Sequence, residues 1–170
     1  MSNRIKLLAE KILVKNNIKS LPISLKKIAK NEKITLASIH ADDKTSGFLY
    51  KKNEKIIIGY NSEHHPNRQN FTIAHELGHY FLQHFGDFFI DKGTILFRDE
   101  RTNNQNYKQE REANKFAAEL LLPEDLLLSY IKREKIVFDD RKEINEMADD
   151  FGVSTQALTI RLTNLGLIAI

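Results

Sequence analysis

The sequence predicts an α+β domain, a small antiparallel sheet packed on a helix that carries a His-Glu-x-x-His run, with further helices towards the C-terminus. Three observations lead there. Apolar residues at helical spacing open and close the chain, and strand formers concentrate between residues 34 and 60. At 170 residues the chain suits one compact domain with a small appendage.

Taken in order, Ile5, Leu8, Ala9, Ile12 and Leu13 put a helix over 3–16. A second, short helix starts after Ser24, a good N-cap. ITLASIH (34–40), GFLYK (47–51) and KIIIGY (55–60) read as strands. The last two flank Lys52-Asn53-Glu54 and so form a hairpin. Pro66 opens a long helix running to about Phe85. Residues 87–105 read as irregular, with a strand at Thr94–Arg98. A helix then covers about Asn106 to Leu122 and stops at Pro123. Helices over 124–133, 140–151 and 154–165 complete the chain. The expected division is a main domain over 1–135 and a helical segment over 136–170 packed on it.

Composition narrows the function. With 41% hydrophobic and 29% charged residues the chain is of ordinary globular type. No apolar run approaches the ~20 residues of a membrane span. The first residues carry charges throughout their apolar pattern, unlike a signal peptide. There is no cysteine, hence no disulfide framework and no thiolate metal site. The chain therefore reads as cytoplasmic, and any metal must sit on His, Asp or Glu. Residues 1–60 hold 13 Lys and Arg against 5 Asp and Glu, and the rest 13 against 18. A basic N-terminal part can meet nucleic acid, but without interleaved aromatics it reads as a solvated lysine-rich surface.

The chemistry concentrates in FTIAHELGHY, residues 71–80. His75 and His79 stand four apart, on one helix face, and can aim two imidazoles at one ion. Zinc accepts neutral imidazole and tolerates an open fourth position. Manganese and cobalt remain alternatives. Glu76, turned about 100° from His75, sits beside the metal, placed to take a proton from attacking water and pass it to a leaving amine. Ile73, Ala74, Leu77, Phe81 and Phe85 occupy the side away from the histidines. Gly78 costs about 1 kcal/mol of helix propensity, which implies close passage of another segment.

Two histidines call for a third ligand. QEREANKFAAELLLP (109–123) offers Glu110, Glu112 and Glu119. On the wheel Ala113, Asn114, Ala117 and Leu121 fall within about 60° of Glu110, with Phe116 and Leu120 extending that arc. Glu112, Lys115 and Glu119 fall on the opposite, polar side. Glu110 is thus the acid that faces inward, with Glu112 as the alternative ligand. Asn114, one turn on, can hold a ligand histidine.

HELGH followed some thirty residues later by EREANKFAAELLLP resembles the ImmA/IrrE metallopeptidases. The likeness extends over the preceding strand pair and the tail MADDFGVSTQALTIRLTNLGLI, most of the chain from about residue 20. It implies a zincin-like fold, one zinc on His75, His79 and Glu110, and Glu76 as general base. It also implies a zinc endopeptidase that cuts a cytoplasmic protein, such as a helix-turn-helix repressor of a mobile element or prophage.

Other residues weigh less. Tyr60, Tyr80 and His84 are candidates to assist an oxyanion, but read more simply as packed aromatics and a surface histidine. His64 and His65 read as solvated loop residues. A substrate chain is expected to add to a sheet edge as a strand, with KIIIGY the candidate. The tail has the outline of a helix-turn-helix, with a turn at Gly152 and a cap at Ser154. Its second helix offers only Arg161 as a base, while Glu143, Glu146, Asp149 and Asp150 repel phosphates. It therefore reads as a structural or docking pair, with direct nucleic-acid binding not expected. The alternatives are a non-proteolytic metal-binding regulator and a DNA-binding regulatory protein. Substrate identity and oligomeric state are not legible.

Overall fold

A computed structural model describes residues 2–84, 88–91, 104–138 and 140–169. The elements are α1 (Ser2–Lys15), α2 (Leu25–Asn31), β1 (Thr35–Ile39), β2 (Gly47–Lys52), β3 (Lys55–Asn61), α3 (Pro66–Phe81), β4 (Phe88–Asp91), α4 (Asn104–Leu121), α5 (Glu124–Glu134), α6 (Arg141–Phe151) and α7 (Thr155–Asn164). The α+β class is as expected. The chain forms two compact units, Leu25–Ala117 and Met1–Ser24 with Ala118–Ile170.

In the unit Leu25–Ala117 the sheet order is β1-β3-β2-β4. β2 pairs antiparallel with β3, register Gly47↔Tyr60 to Lys52↔Lys55, through a turn in which Asn53 takes a left-handed φ of 54°. Expected as antiparallel, the sheet is mixed, because β1 runs parallel to β3. The physical reason is the crossing at residues 40–46, which carries the chain past the end of β3 before β2 begins. Asn61, the last residue of β3, anchors that crossing. Its buried side-chain amide donates to the carbonyls of Ala41, Asp42 and Thr45 at 3.2, 2.9 and 2.9 Å.

β4 lies in the stretch expected to be irregular and pairs antiparallel with β2, Phe48↔Ile90 among the partners. The strand expected at Thr94–Arg98, and Phe85, lie outside the described residues. β3 is an interior strand with its backbone satisfied on both sides, so KIIIGY cannot accept a substrate strand. Among the described strands the edges are β1 and β4.

α3 packs against β2 and β3. Proline at its first turn costs no intrahelical bond, and His65 caps it, its Nδ1 accepting from Asn67 N–H at 3.2 Å. Thr72 to His79 are all buried, so the helix is covered on every side rather than one. α4 crosses it closely: a Cβ on Gly78 would lie 3.1 Å from Ala113 Cα and O. The small residues Gly78 and Ala113 permit that approach.

In the second unit, α6 is capped by Asp140, whose carboxylate accepts from Lys142 N–H at 3.0 Å, and ends on left-handed Gly152. α7 is capped by Ser154, accepting from Ala157 N–H at 3.1 Å. The helix–turn–helix outline is therefore present. Tyr130 donates its hydroxyl to Asp150 at 2.6 Å, and burial together with that carboxylate pushes the phenol up to about 12. Arg161 is buried. Its guanidinium grips Glu119 with two hydrogen bonds and the Leu122 carbonyl with a third, at 3.1 Å. This corrects one expectation, since Glu119 is not on a solvated polar face.

Candidate metal centre

α3 presents His75 and His79 one turn apart, and α4 brings Glu110 to them. His75 Nε2 lies 3.0 Å from His79 Nε2 and 3.2 Å from one Glu110 oxygen, and the other Glu110 oxygen is 3.3 Å from His79 Nε2. The three donors together form a group able to hold a metal ion. The fit can be tested by size. Four ligands about 2.05 Å from a tetrahedral ion stand about 3.3 Å apart, close to the observed edges. Two imidazole nitrogens and one carboxylate form a donor set suited to zinc.

The histidines are almost wholly buried, whereas the Glu110 side chain is 41% exposed, so the cluster is open on that flank. Glu110 is thus half-buried, less inward than its wheel position suggests. The small and apolar residues of its arc, Ala113, Phe116, Ala117, Leu120 and Leu121, are buried as expected. Burial alone would push the Glu110 carboxyl up. The two imidazoles beside it outweigh burial and hold the group at about 2, so it is ionised.

Each imidazole has a partner at its other nitrogen. His75 Nδ1 lies 2.9 Å from Asn114 Oδ1, as the one-turn spacing on α4 anticipates. An oxygen there can only accept, so Nδ1 carries the proton and Nε2 keeps its lone pair. His79 Nδ1 lies 3.2 Å from His84 Nδ1, and His84 Nε2 lies 3.1 Å from Glu112. His84 was expected on the surface but is 6% exposed. Burial and the nearby His79 lower its basicity against the opposing pull of Glu112, which favours the neutral ring. Glu112 is half-buried on the cluster side, bonded to His84 instead of turned to solvent.

Sequence reasoning placed His84 on the surface because a helix was expected to continue to Phe85. The chain instead leaves the helix at Leu82, and Gln83 takes a φ of 59°. His84 N–H then bonds the His79 carbonyl at 3.0 Å and Gln83 N–H the Tyr80 carbonyl at 3.2 Å. This paired helix stop folds His84 back over His79.

Glu76 is 1% exposed, one residue beyond His75. Tyr80 turns its ring to the Lys51 ammonium, 6.0 Å from the centroid, and Tyr60 stands in β3 opposite Gly47. His64 is not solvated: it is buried, with Nε2 3.2 Å from Asp43. His65 is exposed, as expected, and serves as the cap of α3.

The chain is 37% identical over 98 residues to uncharacterized immunity region protein 2 of Bacillus phage phi105, the match covering 58% of this chain and 56% of that protein. Its structure resembles a Mycobacterium tuberculosis transcriptional regulator with a TM-score of 0.64 at 17% identity, over 95% of this chain and 46% of that one, a likeness of fold. The chain thus spans about half the length of both. Among the described residues, no helix is long and apolar enough to cross a membrane. The family model for the IrrE N-terminal-like domain matches residues 29–163, and the chain belongs to that family, Peptidase_M78, whose function is of metallopeptidase type.

Proposed function

We propose that the protein is a zinc-dependent endopeptidase that cuts a specific protein in the cytoplasm, a transcriptional repressor of a mobile element or prophage. The observation that carries this is the convergence of His75, His79 and Glu110 at tetrahedral spacing, with Glu76 buried beside them. The immunity-region relative supports the repressor as substrate. The zincin-like domain and the C-terminal helical segment, divided near residue 135, are proposed to act together, the helices docking the substrate.

His75, His79 and Glu110 would hold a zinc ion, which would supply Lewis acidity towards the scissile carbonyl and attacking water. Glu76 accepts the proton of that water and returns it to the leaving amine. The substrate lies extended along a sheet edge, β1 or β4, where backbone groups are available. Backbone pairing accepts any sequence, so specificity comes from side-chain pockets and docking.

The test begins with elemental analysis of wild type, Glu110→Ala and Glu112→Ala, purified alike. About one zinc per chain, absent from Glu110→Ala, is expected. Candidate repressors are then incubated with wild type and with Glu76→Gln, and only wild type should cut. A wild type that takes up no zinc would remove the peptidase reading, leaving the non-proteolytic or DNA-binding regulator.

A further inference from the structure

The site holds two groups that metal binding and proton transfer leave unused, His84 and Glu112. Both are tied to the cluster, and neither belongs to the group of donors able to hold an ion. His84 and His79 stand edge to face, ring centroids 5.1 Å apart and planes at 73°. The order of contacts is Glu112 carboxylate, His84 Nε2, His84 Nδ1, His79 Nδ1.

Proton placement along this chain has a simple solution. A carboxylate at Glu112 accepts only, so His84 Nε2 must carry a proton to bond it. A neutral His84 then has a bare Nδ1, which can only accept. His79 Nδ1 must therefore donate, and His79 Nε2 is left with a lone pair facing His75 and Glu110. Each step follows from the one before.

We propose that Glu112 and His84 are positioning residues that fix the tautomer and ring orientation of His79 for metal binding, a relay in which an imidazole extends the reach of the carboxylate. The two ligand histidines are thus oriented from the same helix by different means: Asn114 acts directly on His75, and Glu112 acts on His79 through His84. The chain is built locally. The helix stop at Gln83 places His84, and Glu112 and Asn114 lie two residues apart on α4. This inference rests on the reading of His79 as a ligand. Loss of such outer partners weakens metal sites by about 10–100-fold.

The experiment uses the full chain and zinc alone, titrated in competition with a chromophoric chelator. The variants are His84→Phe, His84→Asn, Glu112→Ala and the double variant His84→Phe/Glu112→Ala, with His79→Ala as the ligand control. Expected are a 10–100-fold loss of affinity in His84→Phe, a comparable loss in Glu112→Ala, and no further loss in the double variant, because both act through one chain. His84→Asn, whose side-chain oxygen can accept from His79 Nδ1, should recover most of the affinity. Imidazole nitrogen NMR of the metal-free protein supplies the second readout. His79 should be the Nδ1–H tautomer in wild type and His84→Asn, and a tautomer mixture in His84→Phe. If His84→Phe fails to fold, His84→Asn and Glu112→Ala carry the decision. Wild-type affinity in Glu112→Ala, additive losses, or an Nε2–H tautomer at His79 in wild type would overturn the relay. If His79→Ala instead binds zinc like wild type, the failure belongs to the ligand assignment itself.

Discussion

At the scale of single residues, three glutamates two to nine positions apart on one helix have different fates. Glu110 meets two histidines, Glu112 meets a third, and Glu119 is held by Arg161. Spacing on α4 sets Glu110 apart but does not separate Glu112 from Glu119, because each of those roles depends on what another element brings opposite. The roles predict different phenotypes. Glu76→Gln should keep about one zinc per chain and lose cleavage, whereas Glu110→Ala should lose the zinc as well; metal analysis beside a cleavage gel distinguishes them. Asn61 is a structural counterpart. Its buried amide holds three carbonyls of the β1–β2 crossing, and its oxygen accepts from Glu63 N–H at 3.0 Å. Asn61→Ala should cost about 2–3 kcal/mol, since buried polar groups lose their partners. In a chain of this size that is a fall in Tm of roughly 4–12 °C by calorimetry.

At the scale of elements, the α3–α4 crossing decides whether the site exists. Gly78 is unfavourable in a helix by about 1 kcal/mol relative to alanine, so in isolation Gly78→Ala would stabilise α3. In the fold the added methyl meets the α4 backbone at 3.1 Å and the Phe116 ring at 3.2 Å. Overpacking of this kind costs about 1–3 kcal/mol and outweighs the propensity gain. Gly78→Ala should therefore lower Tm, and zinc affinity should fall with it, because Glu110 rides on the helix that is pushed away. Chelator competition on the folded variant checks the second part. The sheet contributes by position: β2 and β3 support α3 while β3 stays sealed between neighbours, which moves any strand addition to β1 or β4.

For the whole molecule, two predictions follow from what is buried. Arg161 and Glu119 form a buried, doubly hydrogen-bonded pair. Removing one partner strands the other, so Arg161→Ala should destabilise by about 3–5 kcal/mol in denaturant melts. Wild type and variant alike should show no salt-dependent duplex affinity by anisotropy, since the only base of α7 is spent inside the fold. Metal stabilises by mass action. At free zinc 1,000 times its Kd the folded state gains about 4.1 kcal/mol, so a chelator should lower the Tm of wild type by roughly 10 °C and leave Glu110→Ala unchanged.

The sequence by itself determined the α+β class, most element positions and the nearness of His75, His79 and Asn114 to one another's faces. These follow from local rules: apolar period, capping residues such as Asp140 and Ser154, and the four-residue repeat of a helix. The family likeness adds weight to Glu110, which periodicity turns inward with Glu112 as the alternative. Only the tertiary structure decided the rest. A left-handed Gln83 folds His84 onto His79, Glu112 turns to that ring, β1 joins β3 in parallel, and Arg161 closes on Glu119 from 42 residues away. Each is a pairing of distant groups or a backbone choice set by packing. Local pattern records which face a side chain occupies, and the partner on the other side of that face comes from the fold.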